Sequence, residues 1–190
     1  MPDTWSDAPI LGTQRLRLRV PTEDDVDFVL DMYSRTDVTR HLGTTDWLET
    51  TAEQALRRVA GYRRHFSRSH GVWVAETRQA ANPVGFGLLK PIPFSAGVEA
   101  AHQDVEIGWH LHPDAWGLGY ATETAEALVT HARRAGLTEI VAVTSSQNLA
   151  SQAVAQRLGM SHQGSTDRYY DTVCELFTLT LEPHHLLRGA

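Results

Sequence analysis

The chain has 190 residues, 42% of them hydrophobic and 21% charged, with a formal net charge of −6. That length suits one domain with an ordinary core, and the composition excludes a disordered chain. The acidic balance gives no support to direct nucleic-acid binding, which needs a basic surface. A single cysteine, Cys174, excludes an internal disulfide and a cysteine zinc site. No apolar run approaches the ~18 residues of a membrane span. The N-terminal MPDTWSDAPI lacks the charged-then-apolar pattern of a secretion signal, so cytoplasm is the expected compartment.

The first element is QRLRLRV, in which Leu16, Leu18 and Val20 alternate with arginines, a period of two that predicts a strand with one wet face. Pro21 ends it. Thr22 is a good N-cap, Asp24 and Asp25 suit a helix start, and Val26, Val29, Leu30 and Tyr33 share a face, so a helix is expected over 23–35. A second helix is expected over 51–66, with an arginine-rich face read as solvated. GVWVAET and PVGFGLLK are two apolar runs around an Asn-Pro turn signal, which predicts a hairpin. After a mixed connection, DVEIGWHLH reads as a strand stopped by Pro113. A helix is expected over 119–135, with Gly136 just past its end. TEIVAVTS then reads as a buried strand, NLASQAVAQRLGM as a helix from Asn148 to Gly159, and DTVCELFTLTLE as a final strand. The order predicts an α+β domain with a mixed, mostly antiparallel sheet and one βαβ step near 104–144.

The informative segment is VEIGWHLHPDAWGLGYATETAEALVTHA. A strand runs into a turn holding Gly117 and Gly119, and a helix begins there. Glycines let the backbone turn tightly and bring its N–H groups to a ligand. A helix start adds unpaired donors and partial positive charge, which together suit a phosphate. The segment has no Gly-Lys-Ser/Thr, so it is not a Walker loop. Thr122 stands where a dinucleotide fingerprint needs a third glycine, and Glu139 begins its strand instead of ending it.

EIGWHLHPDAWGLGYATETAEALVTHA, followed after a short strand by NLASQAVAQRLGM, resembles the GNAT superfamily of N-acetyltransferases. With the early EDDVDFVLDMYSRTDVTRHLG it is similar to the RimJ/RimL-like branch, which acetylates N-terminal amines of ribosomal proteins. The likeness spans about 13–181 within a single domain over 1–190. It implies a mixed α/β sheet of about six or seven strands with a splayed parallel pair and about four helices. It also implies acetyl-CoA as co-substrate, no metal, and an amine acceptor, either a peptide N-terminus or a small molecule. A homodimer stays open.

The resemblance further assigns Trp109 and Leu111 to the pantetheine arm, with the N–H of Leu111 polarising the thioester carbonyl. One such donor is worth roughly 3–4 kcal/mol elsewhere. Trp116, Gly117, Leu118, Gly119, Tyr120, Ala121 and Thr122 would surround the pyrophosphate. Asn148 would bond the arm, and Ser151 would point toward the leaving sulfur. Two departures stand out. Asp114 and Leu118 take places where relatives carry Gln or Arg and a basic residue, and the last helix lacks the tyrosine that many relatives use as general acid. These leave room for an acyl-CoA-binding module without turnover. Ser151 or water would protonate the thiolate.

An amine attacks only when neutral, so an α-amine of pKa ~8 needs less help than a lysine of pKa ~10.4. Strand alternation puts Glu106, Gly108 and His110 on one face of 105–111, where either Glu106 or His110 could take the proton. His110 and His112 form a His-x-His pair with no evident third ligand. Trp47, Trp73, Phe86 and Phe94 are candidates for an acceptor cleft or for core, and residues 168–171 for a turn at its edge. His184 and His185 read as tail residues.

Overall fold

The computed structural model describes residues 8–42 and 48–182, so Trp47, His184 and His185 lie outside the described residues. The chain runs β1 (Leu11–Gly12), β2 (Leu16–Arg19), α1 (Val26–Tyr33), α2 (Thr36–Thr39), α3 (Ala52–Arg63), β3 (Gly71–Thr77), β4 (Pro83–Pro91), β5 (Val105–Leu111), α4 (Tyr120–Arg134), β6 (Glu139–Thr144), α5 (Leu149–Arg157), β7 (Ser161–Thr166) and β8 (Cys174–Thr180). One sheet takes all eight strands in the order β1-β2-β3-β4-β5-β6-β8-β7. Only the β5–β6 neighbours are parallel, and they are the two ends of the βαβ step.

The α+β reading and the mixed sheet match this architecture. The strand and helix counts, eight and five among the described residues, exceed the expected six or seven and four. The additions are elements without a pattern to read. β1 has two residues and α2 four. β7, with sequence SHQGST, has no apolar alternation because it is an edge strand with mostly exposed side chains. The first expected helix begins as a 3-10 turn, Glu23–Asp25, whose Asp25 carboxylate accepts the Thr22 N–H at 2.8 Å. The arginine face of β2 is only partly wet. Arg19 bridges the buried carboxylates of Asp25 and Glu76 at 2.7 and 2.6 Å.

Alternation divides β3 between two cores. Val72 and Val74, with Phe86 and Leu88, meet Val29, Met32, Tyr33, Ala55 and Val59 of α1 and α3. Trp73 and Ala75, with Ile107, Ile140 and Phe177, meet Ala125, Leu128, Ala132, Val154 and Ala155 of α4 and α5. Trp73 and Phe86 are fully buried, so both belong to the core instead of an acceptor cleft. Helix α4 lies close on the sheet at Gly87, where an added Cβ would stand 2.6 Å from Thr124 Cγ2. At Gly85 an added Cβ would stand 2.2 Å from the carbonyl oxygen of His110, on the strand that carries the site. Backbone cannot yield there as a flexible side chain would. Gly85→Ala should therefore cost about 1–3 kcal/mol, read as a lower urea midpoint at unchanged m-value.

Candidate active site

The site begins where β5 and β6 part. The N–H of Ile92 donates to Asp104 O at 3.0 Å, and that of His112 to Val84 O at 3.0 Å. Even-numbered positions of this strand thus turn their backbone groups toward β4, and odd-numbered ones toward β6. Yet β6 is in register with β5 at a single pair, Glu106 with Val141. Beyond it, Trp109 and Leu111 present their backbone groups to a gap. The indole Nε1 of Trp116 donates to Leu111 O at 2.9 Å, which leaves the Leu111 N–H as the donor facing that gap.

The chain then turns through a 3-10 segment, Pro113–Ala115, capped by His112, whose Nδ1 accepts the Asp114 N–H at 3.2 Å. Gly117 and Gly119 have φ of +73° and +80°, left-handed conformations that L side chains rarely adopt. Gly119 is the residue from which α4 starts, so the first N–H groups of that helix open toward the turn. Opposite, Asn148 caps α5, its Oδ1 accepting the Ser151 N–H at 3.1 Å.

These pieces enclose a cleft of about 700 Å³. Trp109, His110, Leu111, Trp116, Gly117, Gly119, Tyr120, Ala121, Thr122, Asn148 and Ser151 all line it. Leu118 does not; the residue is 51% exposed. Its carbonyl instead accepts Arg15 Nη1 at 2.9 Å. Glu106 is also outside the lining. It is buried, and its Oε2 accepts Lys90 Nζ at 3.0 Å and the Tyr170 hydroxyl at 2.5 Å. Burial first, and the Glu106 charge second, push the Tyr170 phenol up. Glu106 and His110 share a face, as alternation requires, but four residues of strand separate them by about 13 Å. No one reacting atom touches both.

His110 is the titratable group of β5 at the cleft. Its Nδ1 lies 2.8 Å from Tyr33 Oη, which accepts from Tyr62 Oη at 2.8 Å, and Arg58 stands 4.5 Å over the Tyr33 ring. Burial, and then the charges of Arg58 and Lys90, lower its pKa to about 3, so the imidazole is neutral in ordinary buffers. His112, next on that strand edge, is held by Asp31, with Nε2 and Oδ2 3.1 Å apart. The two rings are thus engaged by different partners on α1. The turn at 168–171 docks on the β4–β5 connection, where Asp171 Oδ1 accepts the Ala96 N–H at 2.7 Å. Tyr170 and Asp171 both have positive φ, at +60° and +52°. Such a conformation costs of order 1–3 kcal/mol per residue; here Tyr170 is tied to Glu106 and Asp171 to Ala96 and Ser95.

Sequence reasoning placed Tyr170 in a turn at the edge of the cleft but missed Tyr33, Tyr62, Arg15 and Arg157, all of which reach this region from elements remote in the chain. Arg157 donates from Nη1 to Thr122 Oγ1 at 3.1 Å. Periodicity could place each on a helix or strand face but could not pair them across so many residues.

A mixed sheet opened at one parallel pair, with a glycine turn feeding a helix start into the opening, defines an N-acetyltransferase. Residues 15–161 match the acetyltransferase (GNAT) domain, and the chain belongs to that family. The alternative of a binding module without turnover gives way to an enzyme. Among its relatives is the uncharacterized N-acetyltransferase YoaA of Bacillus subtilis, 29% identical over 163 residues, or 85% of this chain and 88% of that one. A GNAT-family acetyltransferase from Bacillus anthracis has the same fold, with TM-score 0.73 and 18% identity over 90% of this chain and 98% of its own. So does RimL, a ribosomal alpha-N-protein acetyltransferase solved with coenzyme A, with TM-score 0.72 and 20% identity over 91% and 98%.

The depressed His110 pKa makes a prediction about stability. The unfolded imidazole binds a proton below about pH 6.5, whereas the folded one does not until about pH 3. Its contribution is fully present above 6.5 and is lost as pH falls through that window. The melting temperature of His110→Gln should accordingly fall less steeply than the parent's between pH 6.5 and 5.

Proposed function

We propose that this enzyme moves an acetyl group from acetyl-CoA to a primary amine, with a protein N-terminal α-amine as the acceptor, by direct attack in a ternary complex. The observation that carries the reading is the convergence, in one cleft of about 700 Å³, of an open strand edge, a left-handed glycine turn and two helix starts. An anion needs the N–H groups at Gly119–Thr122, and an acyl carbonyl needs the Leu111 donor. The RimL likeness supports a protein N-terminus as the acceptor.

Acetyl-CoA supplies the activated acyl thioester. The protein's own part is to orient and to move protons. Leu111 N–H polarises the acyl oxygen, and Trp116 holds the neighbouring carbonyl out of the way. Ser151, in the first turn of α5, relays a proton from water to the departing sulfur, so that its hydroxyl is restored as the thiol leaves. His110 stays neutral and hydrogen-bonds the amine without titrating. Glu106, held between Lys90 and Tyr170, receives the amine proton through water.

Thiol release from acetyl-CoA, screened over a peptide library and small amines, tests the acceptor. Turnover is expected on free peptide N-termini above lysine or polyamine amines, since an α-amine is ~2 pKa units easier to neutralise. The reverse preference would refute the acceptor. Gly119→Val must place a β-branched residue at φ +80°, with its Cβ 3.3 Å from Arg15 Nη2. It should raise the CoA dissociation constant at least about tenfold by calorimetry; unchanged binding would remove the phosphate assignment. Glu106→Gln should slow the rate more at pH 7 than at pH 9, and an equal loss at both would assign Glu106 to support of Lys90 and Tyr170 alone.

A further inference from the structure

The turn that opens the cleft carries Leu118 where a cation would help an anion, and the tertiary structure brings two arginines to the same place. They are not equivalent. Arg15 is committed: its Nε bonds Glu123 Oε2 at 2.6 Å, its Nη1 bonds Leu118 O at 2.9 Å, and its guanidinium lies 4.8 Å over the Tyr120 ring. Glu123 Oε1 also accepts the Arg15 backbone N–H at 2.7 Å and the Thr13 hydroxyl at 2.5 Å. That cluster fixes the turn's carbonyl outward, so Arg15 is a positioning residue. Its charge is spent on Glu123.

Arg157 differs on each count. It ends α5, is exposed, and lines the cleft. Its one hydrogen bond among the described residues is to the neutral hydroxyl of Thr122, at 3.1 Å, and no carboxylate there pairs with it. The nearest acid in sequence to Thr122 is Glu123, already saturated by Thr13 and Arg15. Four of the five guanidinium N–H donors thus remain for a ligand, beside the first turn of α4 where its backbone donors open. Arg40, the other arginine of the cleft, belongs to the α2 wall.

We propose that Arg157, reaching across from α5, is the cation that binds the diphosphate of the acyl donor, in the role the turn's Leu118 cannot fill. This deepens the acetyl-CoA reading above and rests on it. A charge-assisted bond to phosphate is worth about a tenfold change in affinity or more, and salt should screen it.

The test is calorimetry on the full chain with CoA and with dephospho-CoA, at low and high salt. Arg157→Gln should weaken both ligands about tenfold or more and flatten the salt dependence, while Arg157→Lys keeps most of the affinity and the slope. Arg133→Gln, which removes an exposed charge far along α4, should change neither. Three results would overturn the proposal. One is an unchanged CoA constant in Arg157→Gln. Another is a loss with CoA that vanishes with dephospho-CoA, which would move Arg157 to the 3′-phosphate. The last is an equal loss in Arg157→Lys with the salt slope intact, which would make the residue a tether for α4. If the parent protein itself binds no CoA, it is the acetyl-CoA reading that fails, a different outcome from any of these three.

Discussion

A strand that loses its neighbour must leave backbone donors and acceptors unmatched, and buried unmatched groups are costly. In this protein β5 keeps its partner β6 for a single register pair and then runs on paired to β4 alone. Everything about the site is arranged around that unmatched edge. The Trp116 indole takes one of the exposed carbonyls, and the helix starts of α4 and α5 form the two walls. The gap stays open because the sheet continues on both sides, through β4 and through β8, so that separating the pair does not unravel the fold.

The wall proposed to bind the anion owes more to geometry than to charge. The chain is acidic overall, and the turn itself offers Asp114 and Leu118. Left-handed glycines aim N–H groups that carry no net charge, and an oriented helix start concentrates their dipoles. Around that neutral center the fold adds a brace, in which Glu123 is held by Thr13 and Arg15 and its pKa is lowered, after a burial effect of opposite sign, by those bonds. The brace keeps the turn in one shape. It also occupies the Glu123 carboxylate, and among the described residues no acid pairs with Arg157.

The other face of β5 carries the titratable groups of the proposed proton path. His110, bonded to the Tyr33 phenol, is kept neutral first by burial and then by the charges of Arg58 and Lys90. Glu106 sits at the closed end of the gap between Lys90 and Tyr170. The proposed acceptor, an α-amine, needs little help to become neutral, so orientation and water can serve it without one strong base.

Much of this was legible from the amino-acid order alone. Alternation in QRLRLRV and DVEIGWHLH marked strands, glycines at 117, 119 and 136 marked turns, and the spacing of those segments marked the family. Those signals are local, set by backbone sterics and by which face of an element is apolar, so a window of ten residues contains them. The alternation also separated Glu106 and His110 from Trp109 and Leu111 correctly, but it could not say that the first two lie too far apart to share one atom. The tertiary structure alone decided which arginine is spent and which is available, that His110 meets Tyr33, and that Glu106 meets Lys90 and Tyr170. Electrostatic partners are chosen by distance in space, and the sheet order brings together residues 35 to more than 100 positions apart. A pairing of that kind leaves no trace in any short stretch of sequence.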